Sequence, residues 1–229
     1  GPGAIIDVGA HAGQFVLWAR QYSDRKILAF EPDPFARSLL ERMIDENGLR
    51  DVRVIGAACG EMAGSVPLTG ARVSRIGKGS ADEADRVPMV GLDEILEQEG
   101  PIALIKVDVE GFEARVLRGA RAQILRGSAQ FLIEIHPRLI EFYGDRIRDV
   151  VVMFAQTHDI ALWQFEPGAG SGPLGRILWR LGSIGGRRIP VLVGGFEGLR
   201  DGPPQVYLTA RRREAPCREL SKSAEGLTS

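Results

Sequence analysis

Short, nearly continuous hydrophobic runs alternate along most of the 229-residue chain with segments whose apolar positions recur at helical spacing. That alternation is the pattern of a doubly wound α/β fold, a mainly parallel sheet with helices on both faces. The apolar runs predict strands over 4–8, 26–30, 52–55, 102–107 and 131–135. Helical patterns cover 14–22, 34–47, 92–98, 112–125 and 146–157. Pro34 is placed to open the second helix, and Gly48 to stop it. Segment 60–90 is glycine-rich and polar, with β-like pieces at 65–68 and 87–90, and reads as a small excursion over the binding edge. Runs 162–165 and 206–209 are expected to close the sheet as a pair. Residues 1–210 therefore read as one domain, and 211–229 as a disordered tail.

Composition narrows this picture only modestly. The net charge of −1 gives no electrostatic case for nucleic acid or an anionic membrane surface. Cys59 and Cys217 are the two cysteines, too few for a disulfide framework, and they suit a reducing compartment. No run is long enough to span a bilayer, and no leader precedes the first strand, so a cytoplasmic location is expected. Gly1-Pro2-Gly3 gives that strand almost no lead-in, and an upstream segment is expected to be missing. Segment 166–202 breaks the alternation. It is rich in glycine and proline and carries Arg176, Arg180, Arg187 and Arg188 around Trp179, reading as a long basic loop or insertion.

The chemistry begins at Ile5-Ile6-Asp7-Val8-Gly9-Ala10-His11-Ala12-Gly13, an apolar strand running into an Asp-x-Gly-x-x-x-Gly turn and then a helix. Glycines there let a ligand approach the backbone, and the helix N-terminus turns free N–H groups toward it. The dinucleotide fingerprint wants Gly-x-Gly-x-x-Gly, whereas Ala10 follows the first glycine and only Gly13 comes after. Glu31, at the end of the next strand and before Pro32, is placed to accept hydrogen bonds from ribose hydroxyls. Asp7 suits a positively charged ligand group. A nucleoside with a cationic, amino-acid-like tail fits these features better than a dinucleotide, and S-adenosylmethionine is such a molecule.

A second cluster lies at two later strand ends. Lys106, Asp108 and Glu110 share one side of an extended chain, as do Glu134 and His136. Ligands of doubly wound sheets bind beyond the carboxyl ends of the strands, where both groups would emerge. Five ionisable side chains at neighbouring strand ends indicate a functional pocket; the structural alternative is an internal ion-pair network, such as Lys106 with Glu134. His158 reads as structural. The carboxylates offer donors for a hard cation, but a full ligand set is not legible, so no metal is expected.

Four blocks, Asp7 to Gly13, Ala29-Phe30-Glu31-Pro32-Asp33-Pro34, Val90-Gly91-Leu92-Asp93-Glu94 and Ile105-Lys106-Val107-Asp108-Val109-Glu110-Gly111-Phe112-Glu113, together resemble the FkbM-type methyltransferase family. The resemblance runs from residue 4 to about 137. It is most specific in the last block, followed by Val116-Leu117-Arg118-Gly119-Ala120. It implies a class I, Rossmann-like methyltransferase sheet with an antiparallel closing strand. It also implies S-adenosylmethionine as cofactor and an acceptor hydroxyl on a sugar, polysaccharide or polyketide-like product. By the same resemblance Asp7, Gly9, Gly13 and Glu31 hold the cofactor, with Ala58, Cys59, Gly60 and Glu61 near the adenine and Ala10, His11 and Pro32 beside them. His11 stands where the family usually has asparagine.

Methyl transfer to oxygen needs alignment and removal of a hydroxyl proton. Asp108 or His136 is the expected proton acceptor, with Glu110 and Glu134 orienting it or binding acceptor hydroxyls. Two other functions compete with this reading. One is a cofactor-binding module without catalysis; the other is an NAD-dependent oxidoreductase, disfavoured by Ala10 and the missing third glycine. Ribose methylation of RNA shares the chemistry but lacks the basic charge.

Overall fold

The computed structural model describes residues 2–69, 75–76, 85–166, 189–193 and 206–212. The arginines at 176, 180, 187 and 188, Trp179, Cys217 and residues 213–229 of the expected tail lie outside them, whereas Arg211 and Arg212, expected in the tail, are paired in the last strand. In chain order the elements are β1 (Ala4–Val8), α1 (Gln14–Tyr22), β2 (Ile27–Phe30), α2 (Pro34–Glu46), β3 (Val52–Ile55), β4 (Ala58–Gly60), β5 (Gly64–Thr69), β6 (Arg75–Ile76) and β7 (Asp85–Gly91). There follow α3 (Leu92–Leu96), β8 (Ile102–Val107), α4 (Glu113–Arg118), α5 (Arg121–Arg126), β9 (Gln130–Ile135), α6 (Pro137–Phe142), α7 (Ile147–Phe154), β10 (His158–Glu166), β11 (Ile189–Val193) and β12 (Val206–Arg212).

An eight-stranded sheet runs in the order β11-β10-β12-β9-β8-β1-β2-β3, and β4-β7-β5-β6 forms a small second sheet. The five strands β3, β2, β1, β8 and β9 are mutually parallel, whereas β12 enters antiparallel to β9 and pairs antiparallel with β10. The fold is therefore the doubly wound α/β class expected, with an antiparallel flank of β12, β10 and β11 in place of a simple closing pair. β11 falls within the 166–202 segment read as a loop. Strand order reverses between β1 and β8, on either side of which chain connections run in opposite directions.

Burial follows from that topology. All five residues of β1 and all four of β2 are buried, as strands covered on both faces must be. One core cluster, with Phe30, Phe131 and Phe154 among its members, fills one side of the sheet; Ile5, Val16, Ile27 and Leu40 form the core beneath α1 and α2. Register between β1 and β8 shifts once, between Ala4 and Ile5, and then holds, so that Asp7 lies beside Lys106 and Val8 beside Val107.

Two departures from the sequence reading have local causes. The expected helix over 112–125 is two helices. A Cβ at Gly119 would collide with the backbone carbonyl of Gly60, so close packing against β4 occupies the point where a continuous helix would run. The new N-terminus is capped from a distance, with Asp93 accepting hydrogen bonds from the N–H groups of Ala122 at 2.7 Å and Gln123 at 3.2 Å. The second departure is α6, opened by Pro137 at its first turn, in a stretch where no helix is legible from spacing.

Candidate active site

The carboxyl ends of β1, β2, β8 and β9 open into one cavity of about 1030 Å³. Gly9, Ala10, His11, Glu31, Pro32, Ala58 and Cys59 line one end, and Lys106, Asp108, Glu110, Glu134 and Tyr207 the other. Sequence reasoning had assigned both sets, Tyr207 excepted, and the fold brings them together.

At the first end, Glu31 is buried, yet it keeps acceptor capacity. Its Oε2 accepts from the His11 N–H and its Oε1 from the Asp33 N–H, both at 2.8 Å. A carboxylate has further lone pairs on each oxygen, and these remain for hydroxyl donors. Burial pushes the Glu31 carboxyl above its ordinary range, against the lowering pull of those two backbone bonds. The turn that presents His11 is strained, with His11 at φ 47°. α1 follows an N-cap, Gly13, that offers no side-chain hydrogen bond, so its first-turn N–H groups are left to a ligand or water. Cys59 is buried, and burial pushes its thiol well up.

The glycines also serve the approach of one part of the chain to another. A Cβ at Gly9 would collide with the Asp108 carbonyl oxygen, and one at Gly13 with the side chains of Met43 and Leu40 on α2. With φ of 79° and 88°, both positions serve the approach of chain to chain, and the open cradle is the result. Asp7 departs from expectation. It is fully buried beneath the turn, and the cation it faces is Lys106, whose Nζ lies 2.9 Å from Oδ1. Burial raises the Asp7 carboxyl, and Lys106 pulls it back. Lys106 also donates to the Gly9 carbonyl at 2.9 Å, tying the turn to β8. The suggested Lys106–Glu134 network is therefore replaced by a Lys106–Asp7 pair, with Asp108 Oδ2 at 3.8 Å.

At the second end, β8 stops at Val107, so Asp108 and Glu110 stand in the loop beyond it, with Glu110 in the left-handed region at φ 53°. Glu134 is on β9, and its register partner Tyr207 on β12 donates a hydrogen bond to it. Burial and then the charge of Asp108 raise the Glu134 carboxyl, while Tyr207 works the other way. His136 lies behind these carboxylates with its ring buried. Its Nδ1 is hydrogen-bonded to Glu113 Oε1 at 2.9 Å, and its Nε2 faces Glu110 Oε2 at 3.8 Å, Glu134 Oε1 at 3.9 Å and Asp108 Oδ1 at 4.0 Å. Burial alone would lower this imidazole, but the bond to Glu113 and the charges of Glu113, Glu110 and Asp108 hold it above its ordinary range.

Glu113 and Tyr207 are the site residues that sequence reasoning missed. Glu113 is fully buried and also accepts from the Gly111 N–H at 2.9 Å. The available signal was its position as the closing residue of the most specific family-like block, at the first turn of α4. His158 is structural as expected, with Nε2 against the Ala129 carbonyl at 2.9 Å.

Residues 7–163 match the model of the methyltransferase FkbM domain. The chain belongs to the FkbM methyltransferase family. Methyltransferase sdnD of Sordaria araneosa is 32% identical over 153 residues, which are 50% of this chain and 59% of that protein, so the chain spans less than two thirds of this relative. Among solved structures, an rRNA methylase from Streptococcus thermophilus superposes with a TM-score of 0.51 at 12% identity, covering 92% of this chain and 87% of that one. A precorrin-6y C5,15-methyltransferase from Geobacter metallireducens GS-15 gives 0.50 at 8% identity, covering 93% and 81%. At such identities these two neighbours speak for the FkbM chain's fold alone. Among its described residues no helix is long and apolar enough to cross a membrane.

Proposed function

We propose that this FkbM domain transfers a methyl group from S-adenosylmethionine to a hydroxyl of a small molecule or glycan. The observation that carries the reading is a buried acceptor carboxylate, Glu31, facing the same cavity as the acid cluster two strands away. The donor set suits a nucleoside: Glu31 lone pairs for ribose hydroxyls, Ala58 and Cys59 as an apolar wall for a base, and uncapped N–H groups of α1 for a carboxylate tail. Bound there, the cofactor supplies a methyl group already activated by a positively charged sulfur.

The chain's own work is positioning and proton removal. Asp108 reaches the cavity wall and is about one-third exposed, so it is the group placed to take the hydroxyl proton. His136 stands one layer back, which moves it from proton acceptor to positioning residue. Glu110, and Glu134 steadied by Tyr207, are left to bind the acceptor's other oxygens. Family membership favours this chemistry over the nicotinamide alternative.

Calorimetry with S-adenosylhomocysteine and NADH separates the donors, and labelled S-adenosylmethionine incubated with candidate hydroxyl acceptors follows the transfer. Binding of S-adenosylhomocysteine together with label on an acceptor oxygen is the expected result. Tight binding with no label on any acceptor supports a module without catalysis, and NADH binding in its place overturns the reading.

A further inference from the structure

We propose that Asp108, Glu134 and the Nε2 atom of His136 together hold a divalent cation of the oxygen-preferring class, such as Mn²⁺ or Mg²⁺, at the acceptor end of the cavity. One ligand atom from each residue lies within 4.8 Å of the others. The decisive group is the histidine, whose side chain is only 7% exposed. Glu113 takes its Nδ1 at 2.9 Å, which fixes the ring and turns Nε2 toward the carboxylates, where a bound cation would take the place of the Nε2 proton. Its nearest carboxylate oxygens stand at 3.8 to 4.0 Å, too far for hydrogen bonds. Two ligands each about 2.0–2.4 Å from one ion stand about 3–4.5 Å apart, so the 3.9 and 4.0 Å separations of Nε2 from Glu134 and Asp108 suit atoms that share an ion between them.

The surroundings agree with that placement. A ligating histidine usually gives its other nitrogen to a carboxylate, and the Glu113–His136 pair is built that way, from a glutamate that is itself fully buried. Two carboxylates and one imidazole, with no thiolate, select hard or borderline ions. Lys106 is engaged by Asp7 at 2.9 Å and reaches Asp108 only at 3.8 Å, so one shared cation offsets the charge of the Asp108–Glu134 pair only in part. Asp108 and Glu134 both open on the cavity, which leaves the remaining coordination positions to water or to the acceptor.

The site stands on geometry alone, but its use rests on the methyl-transfer reading. Asp108 Oδ1 faces the imidazole and Oδ2 faces Lys106, so the first oxygen can hold the ion while the second still takes the hydroxyl proton. An acceptor with two adjacent oxygens, a vicinal diol or a hydroxy-carbonyl group, would chelate the ion and present one oxygen for methylation.

The test is electron paramagnetic resonance on the full chain after stripping with EDTA, titrated with Mn²⁺. Expected are removal of about one equivalent of Mn²⁺ from the free six-line signal, nitrogen coupling from one imidazole in the pulsed spectrum, and affinity weakened about tenfold or more in Glu134→Gln and His136→Gln. The nitrogen coupling is read on the unaltered protein, so it does not depend on a variant folding. Mn²⁺ that stays free, or binds without nitrogen coupling, overturns the site. S-adenosylhomocysteine is titrated in parallel in EDTA: its binding beside failed Mn²⁺ binding sinks the cation alone, and the reverse pattern sinks the donor assignment while keeping the cation.

Discussion

Gly9 and Gly48 share a left-handed backbone but differ in what surrounds them, and the difference sets the cost of adding one methyl group. At Gly9 (φ 79°) a Cβ runs into the Asp108 carbonyl, whereas at Gly48 (φ 58°) nothing lies within 4 Å. Gly48→Ala should cost about 1–2 kcal/mol in urea unfolding, the price of the dihedral alone. Gly9→Ala should cost about 3 kcal/mol or more, because backbone must also move. Equal losses at the two sites would mean the turn is not held against β8.

Glu31 carries a pH dependence of definite sign. Its ionised form is the acceptor for ribose hydroxyls, so nucleoside affinity is full above its folded titration point and falls as pH drops through it. Because burial raises that point, the loss should begin above pH 4.5, the ordinary glutamate value. Calorimetry of S-adenosylhomocysteine across mildly acidic pH reads it, and Glu31→Gln should flatten the profile while lowering affinity throughout. These residues were legible as members of the site. Their partners were not, since Glu113 and Tyr207 meet His136 and Glu134 only through strand register and helix packing, which spacing does not encode.

At the scale of elements, β1 and β8 are joined by a buried charge pair. Lys106→Met leaves Asp7 without its compensating charge in the core, and should cost about 3–5 kcal/mol. Adding Asp7→Asn should return a good part of that, which a thermodynamic cycle in urea measures; no recovery would place the loss in the Gly9 tether instead. α5 offers a second test. Asp93→Ala removes a cap supplied from another helix and should cost about 1–2 kcal/mol. The central strands and the first two helices follow from hydrophobic pattern and stop signals, because they are set locally. The break before α5, together with β4, α6 and β11, depends on contacts distant in sequence, and these the pattern cannot carry.

For the whole molecule, the reversal of strand order beside β1 gathers both ends of the cavity into one cooperative fold. Ligand binding should therefore stabilise the entire domain, by about 2.7 kcal/mol for S-adenosylhomocysteine at 100 times its Kd. Differential scanning calorimetry should show one transition moving upward with it and no movement with NADH. An unchanged transition at saturation would mean that the cavity is not where the nucleoside binds.

The single slip of pairing between β1 and β8 falls at Ala4, the end of the strand away from the site. Slack is thereby confined to where the strand enters, and Asp7 and Val8 leave in phase with Lys106 and Val107. The molecule thus has a fixed gauge downstream of a tolerant joint. Rebuilding the residues ahead of Ile5 should leave the gap from Glu31 to Asp108 as it is, whereas one residue added after Ile5 would throw the two ends of the transfer out of step.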